Sequence, residues 1–232
     1  MESWIRPLKD LLNKLFAAPM QMPRLTSSRL VNTESAKDPK DPTPTRRRSV
    51  TPRTSVTNPL YIDEISIAGR GVIGMTLCPG KQGPSTYSGP WHRDLGTDVN
   101  VLRNWHCRAL LTLMEPDELV YFHVTNISRV VAEAGLEWHH IPIRDGAAPD
   151  ERFDVLWPRI GSRLVSGIRA GEKIVIHCRG GLGRTGTLAC VTLIELGHPP
   201  EQALELVRNA RPGSVETAAQ QEFVLGYSPR LW

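Results

Sequence analysis

The stretch KIVIHCRGGLGRTG, residues 173–186, decides how this chain folds. It opens on Lys173-Ile-Val-Ile-His177, a β-branched run suited to a buried strand. Cys178 stands at the strand's end, and Gly180, Gly181 and Gly183 follow, small enough to let the backbone curl. A dense apolar segment comes next, with Leu188, Cys190, Val191, Leu193 and Ile194 on a helix. A strand feeding a helix through a glycine-rich turn is the unit of parallel α/β sheets.

The flanking sequence repeats that alternation. Val72–Leu77 reads as a strand ending in a Cys-Pro-Gly turn at 78–80, then a Gly/Ser/Pro loop at 82–90. Ala109–Leu113 and Trp138–Ile143 read as further strands. Helices are predicted at about 94–105, 126–134, 150–169, 184–196, 200–210 and 215–227, with Gly197 and Pro199-Pro200 stopping the fourth. Pro158 is expected to kink or split the helix that contains it. The fold expected is α/β, a central, mostly parallel sheet flanked by helices.

Two units are expected, a tail over residues 1–57 and a folded domain over 58–232. Residues 1–57 hold 11 Lys/Arg and 5 Asp/Glu, leaving 17 and 19 for the rest, so the overall +4 is a +6 tail on a −2 domain. A domain of that charge is not a nucleic-acid binder. In residues 1–18, Trp4, Leu8, Leu11, Leu12 and Leu15 recur at helical spacing among Arg6, Lys9 and Lys14. That start reads either as a dock for a membrane surface or partner, or as a short helix packed on its own domain. Residues 19–57 are rich in Pro, Ser, Thr and Arg, too poor in apolar residues to offset ordering entropy, and read as a disordered basic linker. Arg46-Arg47-Arg48-Ser49 and Thr51-Pro52 read as kinase sites, an address signal or a solvated charge run.

Three motifs compete for residues 177–186. The dinucleotide pattern G-x-G-x-x-G is met by Gly181, Gly183 and Gly186, but the rest of the chain reads as helical and supplies no further strand. The nucleotide loop G-x-x-x-x-G-K-[ST] fails at Cys178 and at Arg184. What stands is H-C-x-x-G-x-x-R-[ST], and each position has a chemical use. Backbone N–H groups from Arg179 through Gly180, Gly181, Leu182 and Gly183 to Arg184 can converge on an anion. The helix beginning near Arg184 adds its positive end, and together these favour the thiolate form of Cys178. Arg184 offers a planar fork for two phosphate oxygens. Thr185 is expected to hydrogen-bond the sulfur and help it leave. His177 reads as a brace of the loop rather than a base. Cys78, Cys107 and Cys190 read as structural, with a protective disulfide to an oxidised Cys178 open to one of them.

Transfer of a phosphoryl group to sulfur needs a proton donor for the leaving oxygen. Asp145, directly after the 138–143 strand and before Gly146-Ala-Ala, is placed to swing over the loop. Asp150 reads as a helix N-cap instead, and Asp94 and Asp117 as surface or capping residues.

With those residues assembled, HCRGGLGRTG resembles the signature of the protein tyrosine/dual-specificity phosphatase superfamily. The order of Leu77-Cys78-Pro79-Gly80, HHIPIRDGAAPD (139–150) and IVIHCRGGLGRTG is similar to the cyclin-dependent kinase-associated phosphatases, over residues 58–228. The resemblance implies hydrolysis without metal or cofactor through a phosphocysteine, with Cys178 as nucleophile, Arg184 as clamp and Asp145 as general acid. Glu216-Thr217-Ala-Ala-Gln220-Gln221-Glu-Phe223 looks like the family's water-positioning segment, with Glu216 where the first glutamine belongs and Gln220 taking part of the role.

No loop of the Asn-Arg-Tyr type that deepens a phosphotyrosine pocket is visible, so phosphoserine, phosphothreonine and phosphotyrosine proteins are the expected substrates. Arg179 leaves a non-protein phosphoester such as a phosphoinositide as an alternative. A phosphate-recognition scaffold without turnover and a rhodanese-like sulfur transferase are the others. Four scattered cysteines with no metal spacing, and no apolar run of spanning length, point to the cytoplasm.

Overall fold

A computed structural model of the protein describes residues 51–85 and 89–231. The amphipathic start and the Arg46–Ser49 run lie outside them. Five strands form the main sheet: β1 (Asp63–Ser66), β2 (Val72–Thr76), β5 (Cys107–Thr112), β6 (Glu137–His140) and β7 (Lys173–His177). Their order across the sheet is β1-β2-β7-β5-β6. The four strands after β1 are mutually parallel, and β1 runs antiparallel at the edge. A separate ribbon pairs β3 (Gln82–Gly83) with β4 (Trp91–His92).

Alternation along the strands makes two cores. On β7, Ile174 and Ile176 face one apolar cluster and Val175 the other; on β5, Ala109 and Leu111 oppose Leu110 in the same way. The first face is covered by α4 (Glu151–Arg169), α5 (Gly183–Glu195), α6 (Pro200–Ala210) and α7 (Ala218–Leu225). The second is covered by α1 (Leu95–Asn104) and α3 (Ile127–Glu133), and a short α2 (Pro116–Tyr121) lies between β5 and α3 in the chain. Every residue of α5 is buried, which its apolar run requires. Each large apolar side chain so covered is worth about 1.5–3 kcal/mol.

The expected α/β architecture is the one observed, with β1, the β3–β4 ribbon and α2 added to the expected elements and further differences in detail. Helix α4 runs unbroken through Pro158, which is exposed, so the helix is not split there. Strand β6 stops at His140 where 143 was expected, because Pro142 has no N–H for a ladder. Packing also begins before residue 58. Arg53 bridges to Trp91, its N–H donating to Pro90 O at 2.8 Å, and Ser55 is buried against Asp94. Residues 53–57 therefore join the folded unit and not the expected disordered linker.

Parallel strands end at one edge of the sheet, where α/β folds bind ligands. Thr76, His177, Thr112 and His140 form one row across β2, β7, β5 and β6. The chain leaving that row delivers Cys78–Lys81, Cys178–Gly183, Glu115–Glu118 and Arg144–Asp145 to the same place. Among the described residues, no helix is long and apolar enough to cross a membrane.

Candidate active site

Loop 178–183 curls between the end of β7 and the first turn of α5. Cys178 is 3% exposed, and its Sγ accepts the Gly181 N–H at 3.3 Å. Gly181 holds φ +77°, and a Cβ there would come within 2.4 Å of the Thr76 carbonyl oxygen, so only glycine fits. Gly180 meets no such wall. Gly183 begins α5 and donates its N–H to Glu216 Oε2 at 2.8 Å, while Leu182 is the helix N-cap.

Hydrogen bonds behind Cys178 fix its stem. The Cys178 carbonyl can only accept, so His177 Nδ1, 3.3 Å away, carries the proton. In the neutral ring Nε2 is then bare and takes the Thr112 hydroxyl proton at 2.8 Å. Trp138 Nε1 in turn donates to Thr112 Oγ1 at 2.9 Å. Complete burial pushes the His177 pKa down to about 3, which suits a brace and rules out a base near neutrality.

Arg184 is 1% exposed and heavily held. Nη1 and Nη2 fork onto Glu118 at 2.5 and 2.9 Å. Nη1 also donates to Ile143 O at 2.9 Å, and Nη2 to Asp145 Oδ1 at 2.8 Å. Its Nε is buried and makes no hydrogen bond within the protein. Buried donors are rarely left so, and an anion in the loop would satisfy it. The other oxygen of Asp145 meets Arg179 Nη2 at 3.0 Å. Asp145 thus bridges both arginines of the loop while its side chain stays 44% exposed.

Asp150 and Asp94 cap helices as expected, while Thr185 and Gln220 are placed otherwise than expected. Asp150 caps α4, accepting the Arg152 N–H at 3.0 Å, and Asp94 caps α1, accepting from Thr97 at 2.7 Å. Thr185 Oγ1 is buried and forms no hydrogen bond, so the expected bond to the sulfur is not made; the sulfur's contact is the Gly181 N–H. Gln220 is fully buried with both ends of its amide spent. Oε1 accepts from Glu216 and Thr217 N–H at 3.0 and 3.3 Å, and Nε2 donates to Ala147 O at 3.1 Å. It ties the start of α7 to the segment that carries Asp145. Burial drives the Cys78 thiol well above its usual range, away from nucleophilic chemistry.

Two residues that motif reading passed over complete the site. Glu118 orients Arg184 from α2. Arg211, after α6, donates Nη2 to Gly180 O at 3.0 Å and Nε to Gly181 O at 2.5 Å, and is itself paired with Asp63 on β1. A cavity of about 470 Å³ opens beside the loop, lined by Lys81, Trp91, Tyr121, Phe122, Arg179 and Glu216 among others. Among the described residues, no cluster of three or more His, Cys, Asp or Glu is placed to hold a metal ion.

A family model described as "Swiss Army Knife protein, DSP-PTPase phosphatase domain" matches residues 92–224. Mouse cyclin-dependent kinase inhibitor 3 is 28% identical over 141 residues, covering 60% of this chain and 65% of its own length, just under two-thirds. Among solved structures, kinase associated phosphatase with serine replacing its catalytic-site cysteine superposes with a TM-score of 0.63 at 25% identity, covering 72% of this chain and 93% of that one. Tk-PTP in its active form gives a TM-score of 0.52 at 29% identity, covering 70% and 93%.

Proposed function

The chain belongs to the DSP-PTPase phosphatase family, and we propose that it is a cysteine-based phosphatase that hydrolyses phosphoserine, phosphothreonine and phosphotyrosine in proteins through a phosphocysteine. The observation that carries this reading is the convergence of Cys178, Arg184 and Asp145 on one glycine-rich loop, with a buried donor of Arg184 unspent.

In the proposed reaction the loop N–H groups other than that of Gly183, which is held by Glu216, and Arg184 receive the phosphate dianion. Cys178 Sγ attacks phosphorus as the bond to the leaving oxygen breaks, and Asp145 gives that oxygen its proton. Water then attacks the phosphocysteine, Asp145 takes the water's proton, and phosphate leaves with the thiolate restored. Asp145 must release Arg184 Nη2 for the first step, and its exposed place beside Gly146 at φ +74° allows it. The supporting shell is built from Glu118 holding Arg184 and His177 holding the stem of Cys178.

The test is hydrolysis of an aryl phosphate and of phosphopeptides by purified protein, beside Cys178→Ser and Asp145→Asn. Cys178→Ser should abolish turnover and retain phosphopeptide binding. Asp145→Asn should slow poor leaving groups more than good ones. Full turnover in the serine variant would remove the mechanism, and turnover confined to phosphoinositides would remove the protein substrate.

A further inference from the structure

Lys81 has no part in the steps above, yet its ammonium lies against the loop. It closes the turn after β2, and that turn is fixed from several sides. Gly80 donates its N–H to Asp98 Oδ2 at 2.8 Å, and Arg93 donates its N–H to Lys81 O at 3.2 Å. Asp98 is itself gripped by the Arg93 fork at 2.7 and 2.8 Å, a pair almost entirely out of solvent. Gly80 sits at φ +72° with Leu95 Cβ 2.6 Å from where a side chain would begin. The side chain of Lys81 is thus delivered to a set place. It is 7% exposed, its Nζ lies 4.8 Å from the centre of the Trp91 ring, and it donates to Arg179 O at 3.0 Å.

That acceptor gives the contact its meaning. In a trans peptide the carbonyl and the next N–H point in opposite directions. Arg211 holds the Gly180 and Gly181 carbonyls from outside the loop, which turns the Gly181 and Leu182 N–H groups the other way. Gly181 N–H accordingly lies on Cys178 Sγ. The Arg179 carbonyl is held in the same manner by Lys81 Nζ and, at 3.4 Å, by the Cys78 N–H. It governs the direction of the Gly180 N–H.

We infer that Lys81 is a positioning residue of the phosphate loop, holding the Arg179 carbonyl outward so that the Gly180 N–H faces the bound anion. An ammonium makes this bond stronger than a neutral amine does. Burial pushes the Lys81 pKa down to about 8, with Cys78, Arg179, Cys178 and Arg93 as the charged or titratable groups facing it. Its grip therefore weakens as pH rises through 8, and anion affinity falls with it.

The inference rests on the phosphatase reading of the loop, and calorimetric titration with inorganic phosphate tests it without requiring turnover. Lys81→Met should weaken phosphate binding about tenfold at pH 7, and Lys81→Arg should restore most of it. Between pH 7 and 9 wild type should lose affinity relative to Lys81→Arg, whose charge persists. Affinity within twofold of wild type in Lys81→Met overturns the inference. So does equal weakening in both variants, which would assign the effect to packing on Trp91. Should Lys81→Met not fold, the pH comparison of wild type with Lys81→Arg decides, and identical courses overturn it. Phosphate binding with these differences but no aryl phosphate hydrolysis would leave the inference standing and remove the proposed function instead.

Discussion

A single residue can carry much of the site's order, and Glu118 does so for Arg184. Its two oxygens take both terminal nitrogens of a guanidinium that is 1% exposed. Glu118→Gln keeps the volume but turns an NH₂ group onto one of those nitrogens. Arg184 should then lose its fixed plane, lowering kcat/KM for an aryl phosphate roughly 10–100-fold. Steady-state kinetics with a melting curve would check this, and an unchanged kcat/KM would reduce Glu118 to a packing role. His177 sets a second expectation, on pH. Its folded pKa of about 3 lies below the ordinary value, so the unfolded chain binds the extra proton as pH falls from 6.5. Stability present above pH 6.5 is lost on acidification, by at most about 1.4 kcal/mol per pH unit from this one group. Melting from pH 7 to 4 should show a shallower acid slope in His177→Gln than in wild type.

At the scale of the element, the strand-loop-helix unit separates glycines that matter from one that does not. Gly181→Ala must bring a Cβ within 2.4 Å of Thr76 O at a positive φ, and the loop must deform. Gly180→Ala meets nothing within 4 Å. The first should cost about 1–3 kcal/mol and most of the activity, and the second should leave stability within about 0.5 kcal/mol. Equal melting temperatures for the two would contradict the loop geometry. This unit was legible in sequence because its chemistry is local: Cys178, the glycines and Arg184 lie within seven residues that a strand and a helix must join. Asp145 was legible because its strand ends at the same sheet edge. Glu118, Lys81 and Arg211 were not, since only the order of strands brings their distant segments to the loop. The edge strand β1 and the β3–β4 ribbon escaped for a related reason. Four polar-mixed residues, or two, carry no period of their own and are strands only through their partners.

For the whole molecule, α5 joins the chemistry to the chain's last residues. Its N-terminus receives the loop and its last residue is Glu195, a carboxylate 3% exposed. The negative end of a helix is a poor place for that charge. The contacts explain it. Glu195 accepts the Tyr227 hydroxyl, Trp157 Nε1 at 3.4 Å, and the backbone N–H groups of Arg230 and Leu231 at 3.1 and 3.0 Å. It is the anchor that holds residues 227–231 against α4 and α5, where Leu231 enters the core. An amide offers one acceptor oxygen where the carboxylate offers two. Glu195→Gln should therefore leave buried donors unpaired and cost roughly 2–3 kcal/mol, lowering the melting temperature by about 4–12 °C. Tyr227→Phe should cost about 1 kcal/mol. Below the melting transition kcat should stay near wild type, because α5 presents the same N-terminus to Cys178 and Arg184 as long as it is folded. A fall in kcat at an unchanged melting temperature would show instead that strain at Glu195 reaches the loop through the helix. The two readings separate in one experiment, activity measured at several temperatures beside calorimetry.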